Sequence, residues 1–227
     1  MFGYRSNIQL PTVTKNLLII NLLVFVATMI NENAIVAAFG LFYPASPHFR
    51  VWQFITYMFV HGGFWHIFFN MYTLFIFGCV VENIIGSRKF LILYLVCGIG
   101  SALLHLGVEY TQAQVYLKHI AEGSRQAVEA YAALKLTPTV GASGAIYGVL
   151  IAYAMLFPEA RLTLIFPPIS LKAKTWILIF IGIELFTGVT GTIEGVAHFA
   201  HLGGMLFGWL LIRYWKNKGN LFEREEW

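Results

Sequence analysis

Six apolar stretches, each bounded by charged or turn-forming residues, govern what this chain can fold into. They run roughly over Asn16–Ile30, Phe64–Ile85, Phe90–Gly107, Gly141–Phe157, Thr175–Val189 and Gly195–Trp215. Inside a bilayer a backbone has to satisfy its own hydrogen bonds, so such stretches become helices. Several are shorter than the ~20 residues of a full crossing, and their ends are expected to extend into the flanks. Composition leads to the same place: 11% of the 227 residues are charged, where a soluble domain carries about 25%. The expected fold is therefore all-α, a polytopic membrane bundle of six transmembrane helices forming a single domain over residues 1–227. Lys15 before the first stretch resembles the start of a signal peptide. Asn31-Glu32-Asn33 follows it in place of a small-residue cleavage site, so the stretch is read as a membrane helix.

The basic residues set the orientation. With the N-terminus inside, the inner segments hold most of the Lys and Arg, including Lys15, Arg88, Lys89, Arg161, Lys172 and Lys174. The outer segments hold Arg50, Lys118, Arg125 and Lys135. The positive-inside rule then puts both termini in the cytoplasm. The net charge of +4 comes from residues beside the spans and gives no reason to expect nucleic acid. Cys79 and Cys97 lie within apolar stretches and read as buried small side chains.

Two intervening segments differ in character. Residues 31–63 are rich in aromatics, among them Phe39, Tyr43, Trp52, Phe54 and Tyr57, and suit an interfacial loop at the membrane surface. Residues 108–138 are more polar and read as a connector, including a surface helix broken near Gly123-Ser124.

The polar residues inside the spans carry the functional signal. Ser143 opens the fourth span in Gly141-Ala142-Ser143-Gly144, and His201 lies in the sixth in Ala200-His201-Leu202-Gly203-Gly204. Intramembrane polar groups are expensive, and they face the bundle interior or a water-filled cavity. A serine beside a histidine is the minimum equipment for nucleophilic catalysis. In the orientation above, Ser143, His201, His66 and Asn70 fall toward the outer side at similar depth. His66 and Asn70 share a helix face, and Asn70 offers an amide donor suited to an oxyanion. Tyr147 lies one turn from Ser143, either stacked on the imidazole of His201 or part of the core. Taken alone, Ser143 reads first as a helix N-cap. Gly144 and Gly148, like Gly204 and Gly208, have the spacing that lets membrane helices approach closely. Ala197, His201, Gly204 and Gly208 share one face, which puts His201 at the seam with the fourth span.

His61, His66, His198 and His201 raise the alternative of a metal or haem site. No Cys or carboxylate joins them in the sequence, so neither metal nor cofactor is expected. His-Glu-x-x-His and Gly-x-Gly-Asp, the marks of zinc-dependent and aspartyl intramembrane proteases, are absent from the spans. A non-catalytic binder of client transmembrane helices would need the bundle but not the Ser–His pair.

Taken together, Gly141-Ala-Ser-Gly144, Ala200-His201-x-x-Gly204 and His66-x-x-x-Asn70 resemble the signature of the rhomboid intramembrane serine proteases, of the bacterial six-span type. The resemblance implies that Ser143 is the nucleophile and His201 the base, with no acidic third member required. It implies an oxyanion hole from His66, Asn70 and the Ser143 N–H, with Tyr147 stacked on the histidine. It implies protein substrates with transmembrane segments, reached through lipid between the second and fifth spans. The expected location is a bacterial inner membrane with the site toward the periplasmic side. Trp176, Phe180 and Ile183 line one face of the fifth span, as a gate or as a lipid-facing surface. Glu82 resembles a structural glutamate of the family. The family's loop motif is Trp-Arg, whereas this chain has Trp52-Gln53, which removes the usual arginine anchor. Glu184, in the fifth span, has no assigned partner.

Overall fold

The computed structural model describes residues 10–163, 168–190 and 198–221. Gly195 and Ala197, at the expected start of the sixth span, lie outside them.

Helix α1 (Thr12–Ile30) starts after Pro11, and the main-chain N–H groups of Val13 and Thr14 donate to the Glu82 carboxylate at 2.9 and 2.7 Å. The first N–H groups of any helix lack partners within it, and a buried acid supplies them here. Asn31 ends α1, and its side chain caps α2 (Glu32–Phe39) by accepting from Ala34 N. The short helix α3 (Gln53–Thr56) passes into a 3-10 turn at Tyr57–Phe59. Phe64–Ile85 is one helical run made of α4 (Phe64–Thr73), a wider π-turn at Leu74–Gly78 and α5 (Cys79–Ile85). Then come α6 (Ser87–Ala121), α7 (Arg125–Leu136) and α8 (Ser143–Leu156). A small antiparallel hairpin, β1 (Arg161–Thr163) with β2 (Ser170–Lys172), leads into α9 (Ala173–Thr190), and α10 (His198–Asn217) completes the bundle.

Thr12–Ile30, Phe64–Ile85, Ser87–Ala121 and Ala173–Thr190 are long and apolar enough to cross a membrane. Helix α8 is apolar but shorter, and α10 runs for 20 residues with Arg213 and Lys216 near its end. The molecule is a multi-pass membrane protein built as a helical bundle. Its outer surface agrees: Leu22, Leu23, Met29, Trp65, Phe69, Phe186 and Val189 are exposed, on faces that water would penalise and lipid accepts.

Two expectations change. The third span does not give way to a separate connector at Gly107; α6 continues unbroken to Ala121 before the chain turns at Glu122–Ser124. Polarity after Val108 marks where the hydrocarbon ends, and a helix does not have to end there. The all-α reading also lacked the hairpin, whose base is held by Glu159 pairing with Lys172 and Lys174.

Helices α6, α8 and α10 form the tight centre. A Cβ on Gly204 would stand 1.8 Å from the Gly144 carbonyl oxygen, and one on Gly208 would stand 2.8 Å from that of Gly148. The two helices therefore meet backbone to backbone, as the paired glycines predict. On its other side α8 presses the same glycines against α6, where a Cβ on Gly144 would meet Ser101 and one on Gly148 would meet Cys97.

Residues 40–61 pack onto this centre through named bonds. Gln53 is fully buried; its Oε1 accepts from Arg50 N and Phe42 N, and its Nε2 donates to His48 O. The side chain standing where the family has arginine anchors the loop as a neutral amide. Tyr57 donates to Gly98 O at 2.8 Å, and Leu41 and Thr139 bond each other through both backbone groups.

Candidate functional site

Gly141 N donates to Tyr57 O, and Gly141 adopts φ +126°, a conformation L side chains avoid. A Cβ there would also stand 2.7 Å from His66 Nε2. This turn delivers Ser143 to the first position of α8. The N-cap position of α8 is Ala142, which makes no side-chain cap, so Ser143 stands one residue inside the helix. Its Oγ instead lies 2.8 Å from His201 Nε2, so the N-cap reading gives way to a Ser–His contact. As a first-turn residue, Ser143 has a main-chain N–H without an intrahelical acceptor, at the positive end of the helix dipole.

His201 is buried in the first turn of α10, beside the glycine seam. The Tyr147 ring lies flat on it, centroids 4.3 Å apart at 8°. The stack fixes the plane of the imidazole, and the seam fixes the distance between the two helices that carry Ser143 and His201.

Glu184 has no partner that its sequence neighbours reveal, and the structure supplies three. Glu184 Oε1 accepts from Tyr147 OH at 2.8 Å and lies 2.9 Å from His201 Nδ1. Glu184 Oε2 lies 2.6 Å from His198 Nδ1. Thr187 Oγ1 donates to Ile183 O and stands 3.1 Å from the same His198 nitrogen. A carboxylate therefore does join His198 and His201, contrary to the sequence reading. Among the described residues no cluster of His, Cys, Asp or Glu is arranged to hold a metal ion. The three contacts of Glu184 span 14 to 37 positions in the chain, and no local motif announces them.

His66 and Asn70 lie on one face of α4, as their spacing requires. Asn70 Nδ2 donates to His66 O in its own helix, and both side chains line a cavity of about 480 Å³ with Trp65, Tyr147, Leu150 and Phe180. The Tyr147 that walls this cavity is the same ring that covers His201. His61, just before α4, is buried with its ring edge-on to His66 at 4.9 Å, and its Nε2 faces Ala142 N. Burial, and then the neighbouring His66, push its pKa down to about 3, so His61 is neutral at physiological pH.

The three aromatic and aliphatic residues of the fifth span separate. Trp176 is buried, donates to Leu162 O and stacks on Phe180 at 5.8 Å. Phe180 lines the cavity and touches Tyr147 edge-on, whereas Ile183 is exposed on the outer surface. Glu82, buried between α5 and α1, also accepts from Thr14 Oγ1 and Ser87 Oγ, a structural role like that expected of it.

The chain is similar in sequence to known proteins. The mitochondrial presenilin-associated rhomboid-like protein of Bos taurus is 32% identical over 166 residues, covering 70% of this chain and 38% of that protein. Rhomboid protease AarA of Providencia stuartii is 28% identical over 162 residues, covering 70% of this chain and 54% of its own length. The mitochondrial Rhomboid protein 1 of Saccharomyces cerevisiae is 29% identical over 158 residues, covering 67% of this chain and 40% of its own length. The chain thus spans between about a third and a half of the length of these relatives. The model of the Rhomboid domain matches residues 48–217, a stretch that includes Ser143, His201 and the helices that bring them together, and the chain belongs to the rhomboid family.

Proposed function

We propose that this chain is an intramembrane serine endopeptidase that hydrolyses peptide bonds in or near the transmembrane segments of other membrane proteins. The observation that carries the reading is the 2.8 Å contact between Ser143 Oγ and His201 Nε2 under the Tyr147 ring. A likeness to Rhomboid protease AarA supports the same chemistry.

In the proposed reaction, Ser143 Oγ attacks the scissile carbonyl carbon as its proton passes to His201 Nε2. The carbonyl oxygen gathers negative charge, and the Ser143 N–H, Asn70 and His66 stabilise it. Asn70 has a second amide hydrogen for this, beyond the one given to His66 O. The C–N bond then breaks and the proton on Nε2 goes to the leaving amine. Water repeats the sequence on the acyl-enzyme and frees Ser143. The cavity beside His66, Asn70 and Tyr147 suits an extended stretch of peptide. An intact substrate helix hides its carbonyls, so target segments with Gly, Pro or other helix-weakening residues are favoured. Phe180, between that cavity and lipid, is suited to gate lateral access. The distribution of Lys and Arg favours cytoplasmic termini and a site opening on the opposite face, in a bacterium the periplasmic side of the inner membrane.

The test reconstitutes wild type and Ser143→Ala in liposomes with a model substrate carrying a helix-breaking transmembrane segment, and analyses products by mass spectrometry. Cleavage by wild type alone is expected. Equal cleavage by both proteins would overturn Ser143 as nucleophile. Binding of the segment without cleavage by either would favour a non-catalytic client-binding role.

A further inference from the structure

We infer that Glu184 is a positioning residue that turns the Ser143–His201 pair into a three-membered Ser–His–Glu relay, with α9 as part of the machinery. The inference deepens the protease reading and rests on it.

The geometry gives each atom one role. An ionised carboxylate only accepts hydrogen bonds. With Glu184 Oε1 2.9 Å from His201 Nδ1, that nitrogen carries the hydrogen. Nε2 is then left with its lone pair directed at Ser143 Oγ, 2.8 Å away, which is the tautomer a general base requires. When the serine proton arrives at Nε2, the ring becomes an imidazolium facing an anion. No proton needs to move to Glu184; the carboxylate holds the ring and balances its charge.

The carboxylate is itself held still. Oε1 also accepts from Tyr147 OH, the residue whose ring stacks on His201. Oε2 is taken by His198 Nδ1 at 2.6 Å. Thr187 spends its hydroxyl proton on Ile183 O, so the Oγ1 it turns toward His198 Nδ1 is an acceptor. Two acceptors around one ring nitrogen put the hydrogen there, and His198 becomes a fixed donor. Glu184 is only 5% exposed, and an acid inside an apolar helix is expensive. Unlike Glu82, it caps no helix end among the described residues. Its bonds go to side chains of α8 and α10 that surround the reacting pair.

A purely structural alternative is that Glu184 fastens α9 to the bundle. The test separates the two. Full-length wild type, Ser143→Ala, Glu184→Gln and Glu184→Asp are reacted with a fluorophosphonate probe and assayed with the transmembrane model substrate. Glu184→Gln keeps the size and an acceptor but loses the charge. It is expected to lower kcat and the labelling rate by roughly 10- to 1000-fold, with KM within about threefold of wild type. Melting temperature should stay close to wild type, and Glu184→Asp should recover part of the rate. Wild-type labelling by Glu184→Gln, or a loss that only follows a fall in melting temperature, would overturn the relay while leaving the protease reading intact. If wild type labels no faster than Ser143→Ala, the nucleophile reading fails and the relay fails with it. Should Glu184→Gln not fold, the 15N chemical shifts of the His201 ring in wild type read the tautomer directly. A hydrogen on Nδ1 supports the relay, and a neutral ring with its hydrogen on Nε2 overturns it.

Discussion

Glu82 and Glu184 are the same residue type, both are buried in apolar helices, and each binds a different class of donor. Glu82 receives the main-chain N–H groups of Val13 and Thr14 and the hydroxyls of Thr14 and Ser87. None of these changes protonation in any ordinary pH range, so the acid can only hold helix ends in place. Glu184 receives a phenol and two imidazoles. Imidazole changes charge and tautomer near neutrality, so an acid bound to it reaches into chemistry. A buried carboxylate in a membrane bundle declares its job by its donors more than by its burial.

The contrast can be broken most forcefully at Glu82. Glu82→Ala strips acceptors from two backbone donors at the start of α1, one buried and one half-buried, and is expected to cost about 3 kcal/mol, read by thermal or denaturant unfolding in detergent. Fluorophosphonate labelling per folded molecule should stay at the wild-type rate. A labelling loss beyond the unfolded fraction would erase the distinction between the two acids.

His61 sharpens the contrast as a buried imidazole with no acid bound to it among the described residues. Its folded pKa of about 3 lies below the ordinary histidine value of 6.5. Folding therefore favours the neutral ring, and its contribution is intact above pH 6.5 and lost as pH falls toward 3. Stability should drop by up to about 1.4 kcal/mol for each pH unit below 6.5, and His61→Gln should remove that part of the slope. Melting curves of both proteins from pH 7 to 4 measure the difference, and parallel curves would discard it.

Smaller changes trim one donor from each acid. Thr14→Val removes a hydroxyl from Glu82 and is expected to cost about 1 kcal/mol of stability without slowing labelling. Tyr147→Phe removes the phenol from Glu184 but keeps the ring over His201. It should slow labelling several-fold while changing stability by less than about 1 kcal/mol. If the two variants exchanged these signatures, the assignment of roles would be reversed.

Ser143 and His201 were legible as polar groups inside apolar spans and through the motifs that resemble the family's, and Tyr147 and the glycine seam through helical spacing, which survives any tertiary arrangement. The seam then explains why the two spans approach closely enough for a hydrogen bond. Glu184 was visible only as an anomaly. Its three partners sit on α8 and α10, 14 to 37 positions away in the chain, and nothing local encodes their meeting. Gln53 looked like a missing anchor because charge was the signal being sought. Its amide supplies both donor and acceptor, which an arginine cannot, and bonds the loop on both sides. The extent of α6 was hidden for a different reason. Hydropathy reports the surrounding solvent, and Ser87–Ala121 crosses from one solvent to another without a break in its backbone bonding.

That unbroken helix makes the molecule's orientation measurable from a single position. At 35 residues α6 is roughly 50 Å long, well beyond the ~30 Å of hydrocarbon. Its far end leaves the bilayer on the side where His105 bonds Thr139, four residues before Ser143. A thiol introduced by Glu122→Cys would stand clear of the surface like a signal at a masthead. In sealed vesicles of known sidedness, an impermeant thiol reagent should reach it only from the face opposite the termini. One labelling reaction would then report which compartment the serine looks into.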